Sequence, residues 1–297
     1  MASKFINFYL AFLKPHINVA KPLKVIFDCS GGPVGLILER LFAKTDCPIK
    51  YKLINFVPDG NFPAKSNNPL SPKAAKQLKD AVSKEKADLG VIFDADGDRA
   101  VFIDNRGQVT PFYLIAQLLS LENSASFVFD VINFKIFEKL PFKAKRIFES
   151  KVGYKLVEEV MRKEKADIGV EYSGHYYFKD FFYATSGILA ALKVINAVSR
   201  LPYSLADFPE LMPRKFFWNQ FNIISKNGEE TLKKVKKYFK KGALKISKLD
   251  GLTFDFGDWF FNARLSNTEN SLLRFYVGSL NRANLENSVK QIKLLVS

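Results

Sequence analysis

Apolar and polar positions along the chain alternate between two periods. Short runs rich in Val, Ile and Phe, bounded by Gly, Asp, Pro or Ser, recur at Leu23–Asp28, Val91–Phe93, Ala100–Ile103, Phe127–Val131, Arg146–Glu149 and Ala166–Val170, and they predict strands. Between them, helical spacing of apolar residues predicts helices over 36–44, from Pro72 to about Lys86, from about Phe112 to Leu121, after Tyr154 and over Gly187–Val198. Ser71-Pro72 has the form of an N-cap followed by Pro at the first helical position. Strands alternating with helices predict α/β units on mixed or parallel sheets. The pattern then changes. A strand over 216–224, a Lys-rich helix over about 228–241, alternating positions over 252–264 around a Gly-Asp turn, a strand over 272–277 and a final helix over 284–296 predict an α+β unit. The expected fold is two α/β mixed-sheet domains, 1–121 and 122–213, followed by a small α+β C-terminal domain, 214–297.

Phe5, Ile6, Phe8, Tyr9, Leu10, Phe12 and Leu13 could pass for the apolar part of a signal peptide. Asn7 interrupts them and no small-residue cleavage site follows, so an amphipathic helix facing a core is the expectation. No apolar run reaches the length of a membrane span. The chain of 297 residues, 47% apolar and 25% charged, reads as soluble and globular, with room for more than one core. Two cysteines, Cys29 and Cys47, give neither a disulfide framework nor a metal spacing, and the expected compartment is the cytoplasm. The formal charge of +15 comes mostly from lysines on predicted helices. A basic chain can attract nucleic acid, but no recognition motif with interleaved aromatics accompanies the charge, and an anionic small molecule accounts for its sign equally well.

One stretch carries candidate chemistry. Val91–Asp104 places carboxylates at 94, 96 and 98 in a turn between two strands, with Gly97 letting the backbone fold tightly. Such a turn is often only a solvated loop. Three crowded carboxylates nevertheless repel one another unless a cation sits among them, and an all-oxygen set suits a hard ion, magnesium first. An EF-hand also opens with Asp at its positions 1, 3 and 5 but needs Gly at 6 and Glu at 12. Those places hold Arg99 and Asn105, and the flanks are strands, so calcium sensing is set aside.

Asp94-Ala95-Asp96-Gly97-Asp98-Arg99 resembles the metal-binding loop of the α-D-phosphohexomutases, the phosphoglucomutase/phosphomannomutase family. Glu171-Tyr172-Ser173-Gly174-His175 is similar to the family's sugar-recognition loop, and Arg264-Leu265-Ser266-Asn267-Thr268 to its phosphate-binding loop, in the same order. Pro58–Pro63 with Asn68-Pro69 also looks like the second family domain. The resemblance covers the family's second, third and fourth domains. The first, which bears the catalytic phosphoserine, finds no counterpart, and Ser66-Asn67-Asn68-Pro69 is read as a structural turn rather than as the serine loop.

By resemblance, Asp94, Asp96 and Asp98 hold Mg²⁺. Glu171 and Ser173 receive sugar hydroxyls, His175 is an acid/base or a phosphate contact, and Arg264, Ser266, Asn267 and Thr268 surround a phosphate with Lys151 as a further substrate contact. Arg99 either holds the transferred phosphate or pairs with an aspartate. Departures from the family pattern are Ile132, where D-x-K is usual, Tyr154, where K-x-G-H is frequent, and Val170 ahead of Glu171. The resemblance implies a protein that binds Mg²⁺ and a hexose phosphate, with no nucleic-acid or membrane partner, and that is impaired as a mutase without the serine loop. A split enzyme completed by a serine-bearing chain and a non-catalytic phosphosugar scaffold are the alternatives.

Overall fold

The computed structural model describes residues 2–60, 68–122, 125–212, 214–266 and 271–296. The chain forms two compact units. One comprises Met1–Phe127, Lys143–Arg146 and Met161–Leu211; the other comprises Val128–Phe142, Ile147–Val160 and Met212–Ser297.

The first unit opens with helix α1 (Ala2–Leu13) and is built on a four-stranded sheet in the order β2-β1-β3-β4. Strand β1 (Leu23–Asp28) pairs in parallel with β2 (Ile49–Ile54) and with β3 (Leu89–Phe93). Parallel neighbours need crossover connections. Helices α2 (Val34–Ala43) and α3 (Pro72–Glu85) supply them. Strand β4 (Ala100–Asp104) pairs antiparallel with β3 in the register Phe93↔Ala100, so the acidic stretch 94–99 closes a hairpin at the end of a fully buried strand. Helix α4 (Phe112–Glu122) follows.

Ser71 stands at the N-cap of α3 with Pro72 inside the first turn, as the sequence predicts, although its side chain makes no capping hydrogen bond. Strand β2 was absent from the sequence reading. Ile49, Tyr51 and Leu53 do alternate with Lys50 and Lys52, the period of a strand, but on this edge strand only Ile49 is buried. Helix α1 is amphipathic in part: Leu10 and Leu13 are buried, and Tyr9 and Phe12 lie 5.8 and 5.3 Å from the Phe181 ring. Phe5 and Phe8 face solvent, 67% and 63% exposed.

The chain continues through β5 (Ser126–Asp130), α5 (Val131–Phe137), β6 (Arg146–Ser150) and α6 (Tyr154–Glu164), then β7 (Ile168–Val170), β8 (Tyr176–Phe178), β9 (Ala184–Thr185) and α7 (Gly187–Arg200). Strands β7, β8 and β9 pair antiparallel in turn, and α7 packs on α4, β3 and β4. Helix α5 was not foreseen, because Val-Ile-Asn-Phe-Lys-Ile-Phe is as apolar and β-branched as a strand. Asp130 starts the helix by accepting the N–H groups of Ile132 and Asn133 at 3.1 and 2.8 Å.

The second unit carries an antiparallel sheet in the order β10-β14-β13-β12-β11. Its strands are β10 (Phe217–Ile224), β11 (Lys245–Ser247), β12 (Leu252–Asp255), β13 (Trp259–Leu265) and β14 (Leu272–Ser279), and α8 (Gly228–Phe239) and α9 (Arg282–Val296) pack on it. The lysines of α8 are a solvated face, while Val235 and Phe239 enter a core with Phe254, Phe261, Phe275 and Ile292. Each such buried Phe contributes about 1.5–3 kcal/mol. Lys135 of α5 is buried and pairs with Glu138 and with Asp255, the latter at 3.3 Å; Lys139 reaches the same Asp255 at 2.8 Å.

Candidate active site

The acidic turn lies in the first unit and is held from three sides. Within the turn, Asp94 accepts the N–H groups of Gly97 and Arg99 on Oδ1, both at 3.1 Å, and the Arg99 Nε–H on Oδ2 at 2.5 Å. From the β1 side, Ser30 Oγ donates to the Phe93 carbonyl at 2.6 Å. Gly32 sits so close to the Ala95 carbonyl that a Cβ there would lie 2.0 Å from its oxygen. The Gly-rich turn Cys29–Gly35 is therefore explained by a backbone contact. From the α7 side, the Gly187 N–H donates to the Gly97 carbonyl at 2.9 Å.

The turn gathers Asp94, Asp96 and Asp98 so that one carboxylate oxygen of each lies within 4.8 Å of the others. Burial and the neighbouring Asp98 raise the pKa of Asp94 to about 6 despite Arg99. Burial works against ionisation of Asp98 as well, but the bonds from His175 and Asp94 outweigh it and hold its pKa low. A concentrated set of oxygen donors, one of them with its ionisation disfavoured by burial, fits a hard divalent cation, which would favour the ionised forms.

The Glu171–His175 loop joins β7 to β8 and meets the same turn. Arg99 and His175 form an isolated antiparallel bridge, in which the Ala100 N–H donates to the Gly174 carbonyl at 3.1 Å. His175 Nε2 consequently lies 3.2 Å from Asp98 Oδ2, and Nδ1 lies 3.2 Å from Glu171 Oε2 and 2.6 Å from Ser173 Oγ. Burial disfavours the imidazolium, yet the two carboxylates more than offset it and raise its pKa to about 9. Glu171 is itself buried, and its Oε2 accepts the Tyr177 hydroxyl at 2.6 Å. Tyr177 escaped the sequence reading, since a Tyr within an apolar strand gives no sign that its hydroxyl faces a carboxylate.

The remaining expected residues lie in the second unit. Arg264, the penultimate residue of β13, is largely buried, and Ser266 follows the strand with its N–H on the Leu272 carbonyl at 2.8 Å. Asn267 and Thr268 lie outside the described residues, as do 61–67, which include Ser66 and Asn67. Arg274 stands directly opposite Arg264 in the β13–β14 register and went unnoticed in the sequence. Two like charges directly opposite one another on antiparallel strands are unfavourable by themselves. Lys151 is exposed just ahead of α6, and Ile132 is buried in α5. Among the described residues no helix is long and apolar enough to cross a membrane.

The fold and this constellation define an α/β protein whose acidic hairpin turn is locked to a Glu-x-Ser-x-His loop. The phosphoglucomutase/phosphomannomutase α/β/α domain II model matches residues 5–107, and the domain III model matches residues 112–215. The chain is 32% identical to a phosphomannomutase of Escherichia coli K12 over 88% of its own length and 60% of the relative's. It is 32% identical to the phosphohexose mutases of Xanthomonas campestris over 91% of the chain and 61% of the relative. A phosphoglucomutase/phosphomannomutase family protein from Burkholderia thailandensis shares the fold with a TM-score of 0.81 and 23% identity, covering 98% of this chain and 63% of that one. The chain belongs to the phosphoglucomutase/phosphomannomutase family, and it spans about 60% of the length of the curated relatives it matches.

Proposed function

We propose that this chain binds Mg²⁺ and a hexose phosphate and supplies the metal, sugar and phosphate sites of a phosphohexomutase. The observation that carries this reading is the joining of Asp94, Asp96 and Asp98 to Arg99 and His175 in one rigid group. In support, an N-acetylphosphoglucosamine mutase of Aspergillus fumigatus with a TM-score of 0.62 to this chain is a complex with GlcNAc-6P and magnesium. A bound cation would supply positive charge to a transferring phosphoryl group. Arg99 and protonated His175, held at the edge of the carboxylate set, stand ready to contact phosphate oxygens once the carboxylates are engaged elsewhere. Glu171 and Tyr177 fix the orientation of His175, and Ser173 offers a hydroxyl beside it. Arg264, Ser266, Asn267 and Thr268, with Lys151, grip the non-reacting phosphate. The corresponding organisation is a metal-binding domain over 1–121, a sugar-recognition domain over 122–213 and a phosphate-binding domain over 214–297, in a cytoplasmic protein.

The 297 residues contain no counterpart of the phosphoserine loop, so this stretch alone does not complete a mutase cycle. A serine-bearing segment supplied in trans is the second reading; it would give the exposed Phe5 and Phe8 of α1 a surface to pack against. Calorimetric titration of the Mg²⁺-loaded protein with glucose 1-phosphate, glucose 6-phosphate and mannose 1-phosphate tests the proposal. Saturable binding that is strongly weakened in Arg264→Ala and also weakened in Asp96→Asn is expected. Absence of binding by the folded protein would refute it, and robust turnover with a bisphosphate activator would refute the impaired-mutase part.

A further inference from the structure

The geometry of the second unit assigns a positioning role to a residue outside the three motifs: we propose that Asp250 fixes the direction of the Arg264 guanidinium relative to the turn bearing Lys151. One carboxylate oxygen makes both links. Asp250 Oδ2 accepts the Val152 N–H at 3.1 Å, immediately after Lys151, and lies 4.0 Å from Arg264 Nε. The first contact is a hydrogen bond, while the second is too long for one and acts as an ion pair. Both side chains are shielded, at 15% and 11% exposure, so the attraction is screened less than a surface pair.

Asp250 is in turn held rigidly. Its carbonyl accepts Asn262 Nδ2 at 2.8 Å, and the same buried amide donates to Thr253 Oγ1 at 2.9 Å. Gly251 follows with φ +66°, and a Cβ there would come within 2.4 Å of the Ala263 carbonyl oxygen and 2.5 Å of Arg264 Cβ. The Asp250-Gly251 turn is thus pressed onto the backbone that carries Arg264, and only glycine suits both its conformation and its clearance.

The direction of the contact matters. Asp250 approaches the Nε–H of Arg264, which leaves the outer edge, with its two terminal nitrogens, to offer an oxyanion two parallel in-plane N–H bonds. A carboxylate at the inner edge restrains the side chain and offsets part of the repulsion from Arg274, which is opposite in the register. This inference rests on the reading of Arg264 as a phosphate ligand.

The test compares glucose 1-phosphate and inorganic phosphate binding, by calorimetry, for the unaltered chain, Asp250→Ala, Asp250→Asn, Arg264→Ala and the Asp250→Ala/Arg264→Ala pair. Asp250→Asn keeps an acceptor for Val152 but loses the charge, and it serves if the alanine variant fails to fold. Loss of the charge is expected to weaken glucose 1-phosphate binding about tenfold in either Asp250 variant. The double variant should bind no more weakly than Arg264→Ala, because Asp250 acts through that arginine. Binding unchanged in both Asp250 variants, or a loss that persists undiminished without Arg264, would overturn the role. If the unaltered chain binds neither anion, the phosphate reading itself fails. Asp250 is then judged by NMR: faster Val152 amide exchange together with a displaced Arg264 Nε–H resonance in Asp250→Ala supports the positioning, and an unchanged spectrum removes it.

Discussion

The Gly187 N–H, at the first residue of α7, donates to the carbonyl of Gly97 at 2.9 Å and so fastens the acidic turn to a helix that begins far away in sequence. Ser186 caps that helix by accepting the Leu189 N–H at 3.1 Å, and its hydroxyl also meets the Tyr9 hydroxyl at 3.0 Å. The turn therefore owes its shape to packing as well as to its own glycine.

Gly187→Ala tests this dependence. Its Cβ would lie 2.6 Å from the Arg99 carbonyl oxygen and 2.8 Å from that of Gly97, both backbone atoms that cannot swing away. A loss of about 1–3 kcal/mol in stability is expected. Thermal unfolding should show a lower midpoint, and Mg²⁺ titration a weaker site; retention of both would mean the contact is slack.

Tyr177→Phe removes the hydroxyl that donates to buried Glu171 and should cost about 1–3 kcal/mol, the price of a buried acceptor left short of a donor. Urea unfolding of the variant measures it. Tyr177→Phe combined with Glu171→Gln should lose less than the two single changes added together, since the residues share one bond.

Acid stability should depend on Asp255. Burial works against its charge, but the Lys139 bond, the Gly257 N–H and the charge of Lys135 prevail and bring its pKa below 3.8. A depressed folded-state pKa contributes stability above the unfolded value, and the contribution is lost as pH falls through the folded value. The unfolding free energy of the unaltered chain should exceed that of Asp255→Asn at pH 6, and the gap should narrow as pH falls below about 4. A gap constant with pH would exclude the carboxylate charge as its source.

The cysteines should differ in reactivity. Cys29 is fully buried and its pKa is pushed up to about 12 by burial, whereas Cys47 is half-buried, with a pKa raised less far by the same cause. Iodoacetamide at pH 8 followed by mass spectrometry should label Cys47 slowly and leave Cys29 untouched until denaturant is added. Labelling of native Cys29 at a comparable rate would show that β1 opens readily.

The sequence by itself determined the strands that flank the acidic turn, the Ser71-Pro72 start of α3, the hairpin around Gly257 and the oxygen-only character of the 94–98 set, because each rests on periodicity, turn chemistry or donor type within a few residues. It also carried the three motifs by which the family is recognised. Tertiary structure decided the rest. Edge strand β2 carries its alternation, Ile49, Tyr51 and Leu53 against Lys50 and Lys52, yet buries so little that only its pairing with β1 establishes it, and short helix α5 has the composition of a strand. That His175 meets Asp98, that Tyr177 secures Glu171, that Arg274 faces Arg264 and that Asp250 reaches Val152 all depend on strand register and close backbone approach. Pairings between residues distant along the chain leave no periodic trace in it; they arise only when burial of the apolar faces fixes which backbones lie side by side.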